Sequence, residues 1–367
     1  MIPMVDLKAQ HQAIKEKIDD RIKDIFESGA FILGPNVMEL ERKVAAYHEV
    51  PYAIGLASGT DALHLALRAA GVEKGDEVIT TPFTFFATVE AILYCEAKPV
   101  FADIEPDTFN MNIAAVEALI SDRTKAILPV HIFGHPVDMD ALMPVADSHN
   151  LKVIEDCAQA FGADIRGKKV GSFGVAGCYS FYPSKNFSCY GDGGMVVTDI
   201  SEINDRIRRL RNHGSSRTYQ HNEVGYNSRL DEMQAAVLNV KLKRIDGYND
   251  QRRLVAERYR ERLSDLPLTL PVERKGCRHV YHQFTMRSGI RDELSAYLHS
   301  EGISNVIYYP APIHLQKALN SFNWSEGDFP EAEKASREVM SIPMYPELPE
   351  FDLDFICDKI RSFFYKH

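Results

Sequence analysis

The sequence predicts an α/β protein: a three-layer, mostly parallel sheet with a smaller α+β domain at its C-terminal end. Three observations predict it. Between Tyr52 and Glu155, short apolar runs alternate with stretches of helical period, the pattern of βαβ units whose sheet is covered on both faces. A chain of 367 residues is longer than one domain usually needs, and its 45% hydrophobic and 26% charged content supplies an ordinary globular core. Composition then shifts at Leu266-Pro267-Leu268-Thr269-Leu270-Pro271, which marks a boundary before a small α+β region. The division expected is a large domain over residues 1–245, N-terminal helices included, and a small one over 246–367 with a long connecting helix.

Taken in order, Ile14, Ile18, Ile22 and Ile25 recur at helical spacing and predict an amphipathic helix over 10–27, stopped by Ser28-Gly29. Val37, Leu40, Val44 and Tyr47 repeat that pattern after Gly34-Pro35. Residues 52–56 read as a buried strand, 57–61 as a turn and 62–70 as a helix. Strand and helix then alternate over 77–81, 85–94, 99–102, 113–120, 126–130, 139–149 and 152–155. After a strand at 195–198 and a charged helix at 202–211, residues 212–221 show no period and read as a mobile loop. A long helix follows over 232–262, bending near Asp246-Gly247. Residues 279–286 read as a strand, 291–300 as a helix, 304–308 as a strand, 308–314 as a stiff aromatic loop and 351–364 as a closing helix. The sequence holds no internal repeat, no metal-ligand cluster and no G-x-G-x-x-G or G-x-x-x-x-G-K turn, which removes support for dinucleotide and P-loop readings.

The net charge of -10 gives no long-range attraction to nucleic acid or to an anionic membrane, so an anionic substrate needs cations placed locally. Six cysteines without a C-x-x-C pair or a compact disulfide spacing fit a reduced compartment. The opening residues show no basic-then-apolar leader, and no apolar run is long enough to cross a bilayer. A cytoplasmic location is expected, with neither nucleic acid nor membrane as partner.

The chemistry gathers between Asp156 and Gly194. Lys185 follows Pro183-Ser184 and precedes the cluster Gly191-Asp192-Gly193-Gly194, a setting that can desolvate its amine and keep it neutral and nucleophilic. Alone it reads as one more solvated lysine. Asp156 shifts the balance, because it ends a predicted buried strand, and open parallel sheets bind ligands at strand C-terminal ends. An aspartate there holds a pyridinium nitrogen protonated and a lysine holds the matching aldehyde, so the pair points to pyridoxal phosphate. Ser58-Gly59-Thr60-Asp61, between a strand and a helix start, then reads as a phosphate site rather than a plain helix cap. Phe85, near a strand end, is a candidate to lie against the flat cofactor, although core packing is the commoner fate of such rings. Arg229 is a candidate to bind an anionic substrate group.

Over nearly its whole length the chain resembles the DegT/DnrJ/EryC1/StrS family of pyridoxal-phosphate sugar aminotransferases, which have the fold type I architecture. The resemblance rests on Ser58-Gly59-Thr60-Asp61-Ala62-Leu63, Thr84-Phe85-Phe86-Ala87-Thr88, Gly134-His135-Pro136-Val137-Asp138-Met139, Glu155-Asp156-Cys157-Ala158-Gln159, Ser180-Phe181-Tyr182-Pro183-Ser184-Lys185-Asn186, Tyr190-Gly191-Asp192-Gly193-Gly194 and Gly225-Tyr226-Asn227-Ser228-Arg229. It implies that Lys185 is the Schiff-base lysine, Asp156 the partner of the pyridine nitrogen, Gln159 a contact on the ring-hydroxyl side and Phe85 the stacking ring. It further implies a phosphate cup of Ser180, Gly59 and Thr60, which Asn227 completes from a neighbouring subunit, hence a homodimer with shared sites. Arg229, Tyr309 and His314 match substrate contacts. Ser184 and Cys189 stand where many relatives have alanine.

The activity implied is transfer of an amino group from glutamate to a keto group of a nucleotide-linked sugar, in amino-sugar and surface-polysaccharide biosynthesis. C3 is favoured over C4, because Ile2-Pro3-Met4-Val5-Asp6-Leu7-Lys8 and Pro183-Ser184-Lys185 followed by Cys189-Tyr190 look more like members acting at C3, including those that use a UDP-linked uronic acid. The alternatives are a cyclitol aminotransferase, a sugar dehydratase or a non-catalytic cofactor-binding sensor. Retention of Lys185 argues against the dehydratases, which have histidine there. The lack of a basic face disfavours a sensor that acts on DNA.

Overall fold

The computed structural model describes residues 1–217 and 219–366, with the side chain of Lys366 outside the description. Among the described residues, the main sheet has seven strands: β1 (Tyr52–Leu56), β2 (Glu77–Thr80), β3 (Lys98–Phe101), β4 (Thr124–Ile127), β5 (Lys152–Asp156), β6 (Ala176–Ser180) and β7 (Gly194–Thr198). They lie in the order β1-β7-β6-β5-β4-β2-β3. Pairing is parallel from β6 through β5, β4 and β2 to β3, and β7 runs against both of its neighbours.

The strands are apolar on both faces, which is why they read as continuous hydrophobic runs. Ile54, Cys178 and Val196 turn to one face and pack with Leu65 and Ile207, from the helices Gly59–Ala69 and Ser201–Leu210. Ala53, Tyr179, Met195 and Val197 turn to the other and pack with Leu40 and Leu238, from the helices Pro35–Tyr47 and Glu232–Leu242. A separate core joins Tyr259, Phe284, Leu294, Met340 and Ile356, and Ile2 and Val5 at the start of the chain pack against it. None of the helices described is long and apolar enough to cross a membrane.

Several expected elements form differently. The first helix is broken, into Leu7–Gln12 and Lys15–Ser28, at a point with no glycine or proline to mark it. Residues 113–120 form two 3-10 turns, Ile113–Ala115 and Glu117–Leu119, because Ile113, Val116 and Leu119 recur every third residue, the 3-10 period. The unperiodic segment 212–221 contains a small antiparallel ribbon, Ser215–Arg217 with Gln220–His221, and Thr218 lies outside the described residues. The long helix divides at Lys243-Arg244 instead of bending at Gly247, giving Glu232–Leu242 and Ile245–Leu263. The strand expected over 304–308 is reduced to a bridge of Val306 with Ser341, while Ile303, three residues earlier, pairs with Ile2.

The strand expected over 279–286 also differs: the regular part is Phe284–Arg287, and before it the chain detours. There the N–H groups of Val280 and His282 donate to the carbonyls of Gly134 and Phe133 at 3.1 and 2.8 Å, and Tyr281 takes a left-handed φ of 42°.

A buried acid ties the first layer to the body. Glu232, with no exposed surface, accepts the N–H groups of Asn36 and Val37 at 2.8 Å each, the free donors at the start of the helix Pro35–Tyr47. Glu232→Ala is expected to lower the unfolding free energy by about 2–4 kcal/mol, since buried N–H groups lose a charged acceptor. The exposed Glu16→Ala should stay within about 0.5 kcal/mol of the parent. Chemical denaturation of both variants checks the pair.

Candidate active site

The C-terminal ends of β2, β4, β5 and β6 open into a cavity of about 660 Å³, where a parallel sheet places its ligands. Asp156, the last residue of β5, forms part of its wall and is 4% exposed. Its Oδ1 accepts the Ala158 N–H at 3.1 Å and its Oδ2 accepts the Thr88 hydroxyl at 2.8 Å. With that proton committed, Thr88 must accept from Thr84, whose hydroxyl lies 2.9 Å away. Burial pushes the Asp156 pKa up, opposed by these two hydrogen bonds and by the charge of Lys185. Such a carboxylate gains strongly from a cation delivered to it.

Lys185 lies on the turn after β6, its N–H donating to the Tyr182 carbonyl at 2.8 Å. Its amine has no hydrogen bond or salt bridge among the described residues. Desolvation pulls its pKa down to about 8 against the opposing charge of Asp156. A useful fraction is therefore neutral near physiological pH.

The helix Gly59–Ala69 also starts at the cavity, with the Ser58 hydroxyl capping it by accepting the Asp61 N–H at 3.1 Å. Gly59 and Thr60 line the cavity beside Ser180, the last residue of β6. A Cβ on Gly59 would stand 2.6 Å from the Ser180 Cβ, so only glycine lets the helix start meet the strand end. Phe85, also on the cavity wall, is 60% exposed. Gln159 accepts the Phe133 N–H at 2.7 Å and donates to the Tyr309 hydroxyl at 3.1 Å.

An exposed flat ring, a buried carboxylate without a cation, a desolvated lysine and a helix start with free N–H groups fit, in turn, the face, ring nitrogen, aldehyde and phosphate of pyridoxal phosphate. Lys185, Asp156, Gly59, Thr60, Phe85, Gln159, Ser180 and Tyr309 therefore share one cavity. Asn227 and Arg229 lie outside it: Asn227 is exposed and bridges Asn212, whose Oδ1 accepts from Arg229 at 3.3 Å. His314 is also outside, and its side chain has no exposed surface. It donates to Glu333 at 3.1 Å, and Glu333 also accepts the Gly327 N–H at 2.8 Å, so in the single chain this imidazole braces a loop.

Sequence reasoning missed Thr88, Tyr182, Asp192, His282 and Gln283 as lining residues. Thr88 carried a signal, four residues after Thr84 at a helix start. His282 carried none, because its segment read as regular strand. Glu155, the acid next to Asp156, faces the opposite way and accepts the N–H groups of Gly171, Phe173 and Gly174 at 2.7, 2.8 and 2.8 Å. His131 also donates to it at 3.1 Å while accepting the Val137 N–H at 2.9 Å. These bonds account for the buried group of His131, Glu155 and Cys157 without a metal.

Fold and site together define the class as a fold type I, pyridoxal-phosphate-dependent aminotransferase. The profile of the DegT/DnrJ/EryC1/StrS aminotransferase family matches residues 12–361, and the chain belongs to that family. It is similar to a pleiotropic regulatory protein of Geobacillus stearothermophilus, 49% identical over 100% of this chain and 99% of that one. It is equally similar to the UDP-N-acetyl-3-dehydro-alpha-D-glucosamine 3-aminotransferase of Acidithiobacillus ferrooxidans, 49% identical over 98% and 97% of the two chains. Among solved structures it resembles S. venezuelae DesV in complex with a ketimine intermediate, with a TM-score of 0.97, 42% identity, and coverage of 99% and 98%.

Two outcomes follow from this geometry. In cofactor-free protein, labelling of Lys185 by an amine reagent should rise with pH and level off just above a midpoint near 8, whereas an ordinary lysine titrates at about 10.4. Mass spectrometry across pH 6–11, roughly spanning both values, reads it directly. Gly59→Ala should weaken cofactor binding at least about tenfold by forcing the cup apart. Gly247→Ala, where an added Cβ meets nothing within 4 Å, should leave the affinity unchanged in an absorbance titration.

Proposed function

We propose that this protein transfers an amino group from glutamate to the C3 keto group of a nucleotide-linked sugar, as a homodimer whose partner completes each cavity. The observation that carries the reading is the pairing of Lys185 with Asp156 in one cavity. Lys185 takes the proton from the donor α-carbon and returns it, and Asp156 keeps a ring nitrogen protonated beside it. Phe85 and Gln159 hold the ring, while Gly59, Thr60 and Ser180 hold the phosphate. The cofactor, when bound, supplies the electron sink for the carbon that loses its proton. C3 is supported by the sequence features at the start of the chain and after Lys185, and by the name of the Acidithiobacillus relative.

The case for a second copy is electrostatic. Among the described residues that line the cavity, Lys185 is the only lysine or arginine, although a donor carboxylate and a sugar diphosphate both need cations. Arg229 and the exposed Asn227 stand on their own chain's outer side, available to a partner's cavity. The regulatory name of the Geobacillus relative favours a second reading, a cofactor-binding regulator without turnover. Conversion of the cofactor spectrum on adding glutamate separates the two.

Lys185→Ala should still bind the cofactor but lose turnover by about 10²- to 10⁴-fold, and Asp156→Asn should slow the glutamate half-reaction with little change in melting temperature. Product analysis over paired 3-keto and 4-keto nucleotide sugars tests the regiochemistry. Amination of the 4-keto member alone would overturn C3. For the shared site, Lys185→Ala and Asn227→Ala/Arg229→Ala subunits, mixed as verified heterodimers, should regain part of the activity that each lacks alone.

A further inference from the structure

The detour before Phe284 brings one more titratable side chain to the cavity wall. His282 is 5% exposed and lines the cavity together with Lys185. Its Nδ1 lies 3.2 Å from the Asn186 Oδ1, and Asn186 follows Lys185 in the chain. Which nitrogen of the ring carries the proton is fixed by a series of hydrogen bonds that begins at a backbone carbonyl. The Asn249 Nδ2 donates to the Phe161 carbonyl at 3.0 Å, so the Asn249 Oδ1 must be the atom that accepts from the Asn186 Nδ2 at 2.9 Å. The Asn186 Nδ2 also donates to the Val280 carbonyl at 2.9 Å, and a carbonyl only accepts. Asn186 therefore presents its Oδ1 to the imidazole, and the Nδ1 of His282 must be the protonated donor.

A neutral ring protonated at Nδ1 keeps a lone pair at Nε2. That nitrogen has no partner among the described residues, nor is it one of the polar atoms buried there without a hydrogen bond. It therefore opens to the cavity. The ionisable groups facing the ring are Lys185, Arg252 and His279, and Arg252 donates to the Tyr281 and Met344 carbonyls at 3.2 and 2.8 Å. Burial first, then the charges of Lys185 and Arg252, hold the imidazole well below its usual pKa, so the lone pair persists at neutral pH.

We infer that His282 is a positioning residue for Lys185: the amine and the Nε2 lone pair stand unpaired on one cavity wall, and when the donor displaces Lys185 from a bound cofactor the Nε2 accepts an N–H of the amine and holds it there. The inference rests on the proposed role of Lys185. No proton transfers to the imidazole. Its part is to give a flexible four-carbon side chain one fixed place from which to take and return the substrate proton, which limits the orientational freedom lost at each turnover.

Two substitutions separate the halves of the ring. His282→Asn keeps a donor near the Nδ1 position and deletes the Nε2 acceptor. His282→Gln keeps an acceptor near Nε2 and deletes the Nδ1 donor. His282→Asn is expected to fold and bind the cofactor, and to slow the glutamate half-reaction by roughly 10- to 100-fold, the worth of a hydrogen bond to a charged group. His282→Gln should recover part of that loss. In protein loaded with the pyridoxamine form, where Lys185 is displaced, the Lys185 labelling midpoint should fall by about one pH unit in His282→Asn, because an acceptor that favoured the ammonium form is gone. A merely structural histidine would move the melting temperature and neither of these readouts.

Nitrogen NMR of the unmodified, cofactor-free protein should show His282 neutral and protonated at Nδ1. Protonation at Nε2 would overturn the inference whatever the variants do. So would a His282→Asn variant with the parent half-reaction rate and labelling midpoint. If the wild-type protein never converts its cofactor with glutamate, the proposed role of Lys185 fails first, and the two failures are told apart.

Discussion

A carboxylate sealed into the end of the central strand is the constraint from which the site follows. Asp156 meets only neutral donors, a backbone N–H and the Thr84–Thr88 hydroxyl pair, so its charge is held in place without being neutralised. In a low-dielectric setting such a group favours whatever brings a positive charge within reach. The floor of the cavity is thus built for a cationic ring before any other contact is made, and the lysine, the aromatic face and the phosphate cup line the same cavity.

That convergence depends on close backbone approaches. Gly59 lets a helix start touch Ser180, and a Cβ at Gly194 would come within 2.2 Å of the Ser58 carbonyl oxygen. Gly134, with φ at +96°, gives the room in which the His282 segment bonds to the Phe133-Gly134 backbone. Three sequence-distant segments are drawn around one space because these positions lack side chains. The remaining chemistry, above all the cations for an anionic substrate, is left to surfaces outside the cavity of a single chain.

Much of this was legible in the sequence, and unevenly. The sheet strands were readable because burial on both faces writes itself as unbroken apolar runs, and Asp156 and Lys185 because each ends such a run or follows it. The break at Ala13-Ile14 and the division at Lys243-Arg244 were not, since neither carries a glycine or a proline. His282 was hidden for a different reason: a positive φ at Tyr281 turns a strand-like stretch aside, and nothing in the residue type announces it. His314, which the resemblance offered as a substrate contact, turns its imidazole to Glu333, a partner that no local pattern in the sequence announces.

Glu155 and Asp156 are neighbours on β5, yet the pleat sends one into a cap over the Gly171–Gly174 turn and the other into the cavity. A slip of one residue in the pairing of β5 would exchange them. The turn would then be offered the shorter acid, and the cavity the longer one without its threonine. Misregistered chains would lose the turn that covers the sheet along with the carboxylate that reacts. The same two residues therefore act as a proofreading mark, because a chain that places its reactive acid correctly has also aligned its central strand.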